Sequence, residues 1–425
     1  MRKIFFVAAF ACAAALFASE GGGKQTTIKV SVSNPADVVR TAEPVVVKLK
    51  DVKGVKWEVK SALVKSNGVF VPCQLDDMDG DFVNDELFFV TNLAPRETKV
   101  FDVVLSDGAE QTAESGKSGV YVALQLRDKK DLHPDVTKVE APGATNIFND
   151  IYMHGITLES ELTGYRIYFD ERQNIDLYGK KYRRIELPVT QFYTTPEQLA
   201  QGYGVDVLWA GKAIGCGSFK QYEGGAPKNW TDVGLRGQRI VTQGRLRTVV
   251  EVYDLHVKGS DSKANGGYYD VRQYYTLVAG HRDMRVDVCF KNIGGQQFCT
   301  GVQKVGVTAV DSVRRGHKPV GFVRADGVAA SWGCDYPDMG KKQIWAPEAI
   351  GMAVYVPRDY VADKREDELN YLYVLGGKGE ERMHYYLTFC ADKEADGYHN
   401  ADEWFASLDA WKANLDAPVK IKIVK

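Results

Sequence analysis

The chain has 425 residues, with 54 basic against 56 acidic side chains and a formal net charge of −2. Two domains are the natural count for that length, and near-neutral charge without basic blocks argues against nucleic acid as a partner. Forty-one glycines and 22 tyrosines, few helical runs and recurrent short alternating stretches point to a large β protein with many turns.

The chain opens on Met1-Arg2-Lys3, then an apolar run from Ile4 to Ala18 with small residues at its end. That pattern predicts a secretory signal peptide over residues 1–18, too short to span a bilayer. The protein is therefore expected to be exported and periplasmic. Cys12 lies mid-run behind Phe10, which makes lipid anchoring the lesser alternative. No later stretch is a transmembrane candidate. The other six cysteines fit neither a disulfide framework nor a zinc site and read as buried small hydrophobes. Cys289 and Cys299 flank a Gly-Gly turn and are candidates for strand neighbours.

Residues 25–106 carry six short strand-like runs, the pattern of a small β-sandwich. Within them, Asp77, Asp79, Gly80, Asp81 and Asp85 approach the spacing of an acidic calcium loop, where hard oxygens surround the ion and Gly permits a sharp turn. The flanks are strands and the bidentate Glu of an EF-hand is missing. A structural Ca²⁺ and a plain acidic turn both fit, and no cofactor is required. The small polar residues of 107–119 mark a linker.

Residues 120–425 form the larger part, an antiparallel β-supersandwich behind the smaller one. Its densest stretch is 146–184. From Tyr165 to Phe169 apolar positions alternate with Arg166, Tyr168 and Asp170, and the alternation resumes with Ile175 and Leu177 against Asp176, Tyr178 and Lys180. A three-residue loop Arg172-Gln173-Asn174, with Asn174 left-handed, sets Asp170 opposite Asp176, Tyr168 opposite Tyr178 and Arg166 opposite Gly179-Lys180. Two facing carboxylates repel unless a cation lies between them, so this face should meet an Arg, a metal or a ligand.

RRIELPVTQFY then reads as a strand. TTPEQLAQGYG, with a Thr cap and Pro at the first helical position, reads as a short helix. Two strands meet near Gly244, where Arg239, Arg245 and Arg247 bring positive charge. In HRDMRVDVCF, Met284, Val286, Val288 and Phe290 point to the core, while His281, Asp283, Arg285 and Asp287 share the other face. Trp332 and Trp345 flank a Gly- and Asp-rich loop that offers either a sugar platform or core packing. NADEWFASLDAWKANL is a helix capped by Asn400, and PVKIKIVK closes with a strand.

No nucleophile elbow, zincin helix, Walker loop or dinucleotide fingerprint is present. The remaining inventory of His, Tyr, Arg, Lys and carboxylates on one sheet face suits elimination next to a uronate carboxylate. Removing the proton α to a carboxylate needs that charge neutralised, and His or Tyr can move protons at either end. Arg166, whose fork is bidentate, and Lys180 are the candidate carboxylate binders, with Arg239 and Trp332 as further substrate contacts. His154 or Tyr168 is the candidate base, and His281 or Tyr178 the candidate acid. Two alternatives stay open: a glycoside hydrolase using Glu159 or Asp170, and a glycan-binding protein without turnover.

MHG…ESELTGYRIYFDERQNIDLYGKK, together with EQLAQGYGVDVL, QRIVTQGRLRTVVEV, YTLVAGHRDMRVDV, TGVQKV and QLDDMDGDFVNDELFF, resembles a family of exported proteins first known as a domain of unknown function. That family occurs in bacterial polysaccharide-utilisation loci. The resemblance covers most of the chain past the leader. It implies a supersandwich of the mutarotase and lyase type, and an activity like that of ulvan oligosaccharide dehydratases. These remove water from a non-reducing-end uronic acid to leave a 4,5-unsaturated sugar. An acidic oligosaccharide is then the expected substrate, with His154, Arg166, Tyr168, Lys180 and His281 the matching positions whose chemistry fits.

Overall fold

The computed structural model describes residues 23–108, 118–130, 132–259 and 267–424. The leader expected over residues 1–18 lies outside the described residues, as does most of the linker. The described chain is all-β in plan, with three short α-helices and a longer one at Ala401–Asp416. Among the described residues no helix is long and apolar enough to cross a membrane.

The first unit is the expected small sandwich. One sheet runs Lys420–Val424, Gln25–Ser33, Thr98–Ser106, Ser61–Ser66 and Val69–Val71; the other runs Arg40–Lys48, Glu86–Leu93 and Cys73–Asp76. Alternate residues such as Val30, Val32, Val45, Val47, Phe89 and Val103 fill the space between them, as the period-two pattern requires. The closing strand was expected in the large unit. It instead returns to the first strand, with Val30 opposite Ile423, so both ends of the described chain meet in the small sandwich.

The larger unit is a nine-stranded sheet facing two five-stranded sheets around one continuous core. Neighbouring strands pair antiparallel throughout, as at Tyr165 with Leu158 and Leu177. Met284, Val286 and Val288 point into that core as their alternation predicts. Cys289 and Cys299 are not neighbours: Cys289 sits opposite Arg272 and Arg382, while Cys299 sits opposite Val374 in another sheet. Cys216, Cys289, Cys299, Cys334 and Cys390 form no disulfide among the described residues.

The helix Ala401–Asp416 takes its cap from Asn400, whose side chain accepts from Glu403 N–H. Trp404 and Leu408 seat it on the nine-stranded sheet. Its last carbonyls, at Asn414 and Ala417, are met by the buried Arg40 guanidinium of the small sandwich, which satisfies acceptors that a helix end leaves unpaired.

One five-stranded sheet positions the site. Its order is Val205–Asp206, Ile175–Gly179, Gly164–Tyr168, Ile151–Ser160 and Val120–Leu126. Leu158, Tyr165, Ile167, Ile175 and Leu177 face the core. Arg166, Tyr168, Asp176, Tyr178 and Asp206 face the other way. RRIELPVTQFY, expected as a strand, is instead a one-turn helix at Leu187–Thr190 followed by left-handed Gln191 and Phe192. Leu187 and Phe192 pack over Tyr178 on this outer face.

Candidate active site

The site begins at a defect in a strand. Ile151–Ser160 pairs with Val120–Leu126, but the register jumps between Tyr152 and Thr157. Within the jump Met153 and His154 adopt φ of 57° and 62°, a left-handed conformation that costs a non-glycine residue about 1–3 kcal/mol. Gly155 comes next, so close to the neighbouring strand that a Cβ would stand 1.9 Å from the Ile167 carbonyl oxygen. Gln238, from the nine-stranded sheet, holds the distortion in place. Its Oε1 accepts from Ile156 N–H and its Nε2 donates to the Ile167 carbonyl, both at 2.9 Å.

This backbone turns the His154 ring onto Phe148, with centroids 4.1 Å apart and nearly parallel. Its Nδ1 lies 3.0 Å from the Phe148 carbonyl oxygen. A carbonyl only accepts, so Nδ1 carries the proton and Nε2 presents a lone pair. Burial lowers the pKa from the ordinary histidine value; the Phe148 carbonyl opposes the shift and Arg166 adds to it. The ring is a neutral base.

Beside it stands a compact charge cluster. Arg166 Nη2 contacts Asp176 Oδ2, lies 3.1 Å from Asp206 Oδ2 and donates to the Tyr168 hydroxyl at 2.8 Å. The Tyr168 hydroxyl donates to Asp176 Oδ2, also at 2.8 Å. The guanidinium is sandwiched by Phe192 and Tyr168, 4.5 and 4.8 Å from their ring centres. Burial and the charge of Asp176 raise Asp206 well above the carboxylate range, with Arg166 opposing. Two carboxyl groups thus share a single guanidinium, and burial favours the protonated form of Asp206. Burial and Asp176 likewise push the Tyr168 phenol far up, which keeps it neutral.

These groups line a pocket of about 300 Å³. Phe148, Tyr193, Trp209 and Trp345 supply aromatic walls, and Arg172 stands at the rim. Trp345 is only 3% exposed, yet its Nε1 has no hydrogen-bond partner. An orphaned buried donor beside a pocket is a position where a ligand acceptor is gained at little cost.

The hairpin differs in register from the expectation. Arg166 pairs with Asp176 and Gly164 with Tyr178, and Tyr168 N–H reaches the Asn174 carbonyl. The loop spans residues 169–173. The left-handed residue is Gln173, because Asp170 accepts from the N–H groups of Arg172 and Gln173 and builds its own turn. The cation thus lies directly against a carboxylate, and no pair of acids faces across the strands.

Of the expected site residues, His154, Arg166 and Tyr168 meet in the pocket. Four others lie outside it for identifiable reasons. Tyr178 shares the outer face but is roofed by Leu187 and Phe192, and its hydroxyl donates to the Gly204 carbonyl at 2.8 Å. Lys180 is buried in an ion pair with Glu159 at 2.5 Å, and Glu159 also accepts from Glu186 and Leu187 N–H. Burial pushes Lys180 down and Glu159 up, each opposed by its partner. Both ring nitrogens of His281 are taken, by Asp283 at 3.1 Å and the Ala42 carbonyl at 2.9 Å, and it joins the two sandwiches. Arg239 is paired with Glu251 at 2.9 Å on the nine-stranded sheet.

Trp332 is core rather than platform: it is 2% exposed and its Nε1 faces His317 Nδ1 at 3.3 Å. Asp170, a candidate for hydrolysis, is held by Arg172. In the acidic turn, Asp77, Asp79 and Asp85 bring one oxygen each within 4.8 Å of one another, and Asp81 is not among them. These carboxylates already accept the turn's own N–H groups, from Met78, Gly80, Asp81 and Phe82. Hard oxygens suit a hard cation, but the turn is satisfied by its own backbone.

Asp206, Arg172, Tyr193 and Trp209 are pocket residues the sequence did not single out. Asp206 sits in a two-residue strand, too short to show a period. The alternating Val-Asp-Val flanked by glycine was its only signal.

The described family model that matches the chain is "Domain of unknown function (DUF4861)", over residues 32–421. The chain belongs to this family. The match runs through both sandwiches, so the pocket and the small unit are parts of one family pattern. No curated protein matches the chain. Among solved structures, an α-mannosidase from Enterococcus faecalis V583 is similar at 9% identity with a TM-score of 0.46, over 94% of this chain and 46% of that one. A protein in the glycosyl hydrolase family 38 from Enterococcus faecalis is similar at 9% identity and 0.45, over 94% and 47%. The chain thus spans about half the length of these proteins.

Proposed function

We propose that the chain is a carbohydrate-active enzyme of the periplasm, a carbon–oxygen lyase that removes water from the terminal uronic acid of acidic oligosaccharides. The observation that carries this reading is a histidine whose Nδ1 is committed to a carbonyl, leaving Nε2 as the basic atom, in one aromatic pocket with Asp206, a carboxyl that burial pushes towards its protonated form. Elimination next to a carboxylate needs that pair of groups: a base for the C5 proton and an acid for the departing O4. His154 takes the proton. Asp206 protonates the leaving oxygen, the role that the sequence pattern assigns to His281 or Tyr178. Tyr168 links the base side of the pocket to the Asp176–Asp206 pair and holds its geometry. Arg166 is committed to two carboxyls and Arg172 to Asp170 through Nε and Nη2, so the uronate carboxylate faces the remaining Nη1 edge of Arg172 at the rim.

Hydrolysis is disfavoured by the same geometry. Asp176 and Asp206 touch one guanidinium and each other. A glycosidase pair flanks the scissile bond at roughly 5 Å or more. A direct contact leaves no room for a sugar between them.

The test is incubation with a panel of uronate-ended oligosaccharides, read by ultraviolet absorbance of the conjugated product and by mass. The expected result is an absorbing product lighter by one water. Release of reducing ends without that absorbance would overturn the elimination in favour of hydrolysis, and binding without any product would leave a glycan-binding protein.

A further inference from the structure

A second cavity, of about 550 Å³, adjoins the first. Arg172, Asn174 and Gly211 belong to both walls, so the two form one continuous cleft. At the floor of the second lies Lys220. It is 5% exposed, and its Nζ donates to one neutral acceptor, Asn229 Oδ1, at 2.7 Å. Among the described residues no carboxylate stands within ion-pair distance of it. Every other buried lysine or arginine in this half of the molecule is matched, as Lys180 is by Glu159 and Arg236 by Asp254.

A buried ammonium with one neutral partner is expensive, and burial accordingly draws Lys220 down to about 8. Asn174, 3% exposed on the shared wall, adds a second orphan, since its Oδ1 has no donor. Asp170 and Glu171 favour the charge on Lys220, but burial outweighs them. Asp367 is spent on its own turn, accepting from Leu369 and Asn370 N–H at 2.8 Å.

We infer that the second cavity binds the next sugar of the oligosaccharide and that Lys220 selects a sugar bearing an oxyanion, either a carboxylate or a sulfate ester. This rests on the reading of the first pocket as the site of the terminal uronic acid. The anion supplies the counter-charge that the fold withholds, and Asn174 accepts from a sugar hydroxyl at the junction. The cleft is then specific for acidic repeats, and a neutral second unit loses the ion pair.

The experiment is calorimetric titration with three disaccharides that share a terminal uronic acid. Their second units are glucose, glucuronic acid and a sulfated glucose. The wild-type protein is expected to bind one or both anionic forms at least about ten-fold more tightly than the neutral form, roughly the worth of one charge-assisted hydrogen bond. The stronger of the two names the anion. Lys220→Met removes the preference. Asn229→Asp, which places a carboxylate on the ammonium without emptying the site, removes it as well and guards against misfolding of the first variant. Equal binding of all three by the wild type, or a preference that survives both substitutions, overturns the inference. Titration does not depend on turnover. A preference without dehydration therefore sinks the proposed reaction and leaves the subsite standing.

Discussion

His154 combines three properties that seldom coincide: a left-handed backbone, a fixed tautomer and a burial that keeps it neutral. His154→Asn, which tolerates the same backbone, should lower kcat by roughly 10²–10⁴-fold while leaving the melting temperature nearly unchanged. A histidine whose pKa is depressed stays competent as a base to lower pH. The acidic limb of the kcat/KM profile should therefore fall below the ordinary histidine value of about 6.5, and a limb above that value would contradict the assignment. Asp206→Asn keeps the hydrogen-bonding shape of the protonated acid but has no proton to give. It should fold normally and lose turnover, whereas Asp206→Ala should lose stability as well, because Arg166 would lose a partner. At this scale His154, Arg166 and Tyr168 were legible from alternation and side-chain chemistry. Asp206 was not, because a strand of two residues carries no periodic signal.

At the level of elements, the site is made by a bulge that Gln238 supports from the opposing sheet. Gln238→Leu leaves Ile156 N–H and the Ile167 carbonyl without partners. It should cost about 1–3 kcal/mol per orphaned group and lower kcat through misplacement of His154, measurable by denaturant unfolding beside kinetics. The hairpin shows what pattern can and cannot give. Its faces were read correctly because a register error of an even number of residues keeps every side chain on its side. Its partners were misread because Asp170 organises a longer turn than composition suggested. The one-turn helix at Leu187–Thr190 decided the rest. It roofs Tyr178 while Tyr168 stays open to the pocket, and no local feature of YRIYFDERQNIDLYGKK announces where that roof begins.

For the whole molecule, a buried polar seam ties the two sandwiches together. Arg247 meets Asp76 and Glu86, Gln74 accepts from Leu246 and Arg247 N–H, and His281 reaches the Ala42 carbonyl. Arg247→Met strands Asp76 in the seam and should destabilise the protein by about 3–5 kcal/mol, with both sandwiches melting at lower denaturant. Burial opposes the charge on His281, but Asp283 and the Ala42 carbonyl outweigh it and raise the pKa to about 9. A raised pKa stabilises the fold while the group is protonated. This contribution should be whole below about pH 6.5 and vanish as the pH passes about 9, a slope that His281→Gln should flatten. Alternation and turn spacing made the two-sandwich, all-β plan legible. They could not show that the last strand closes the first unit, since pairing between chain ends leaves no trace in local pattern.

The central claim is that His154 removes the C5 proton of a terminal uronic acid while water departs. Turnover of an acidic oligosaccharide deuterated at that C5 position tests it most directly. The account predicts a slower reaction than with the protonated substrate, an unsaturated product that has lost both the deuterium and one water, and no such product from His154→Asn. A product that keeps its deuterium, or full activity in the variant, would contradict it.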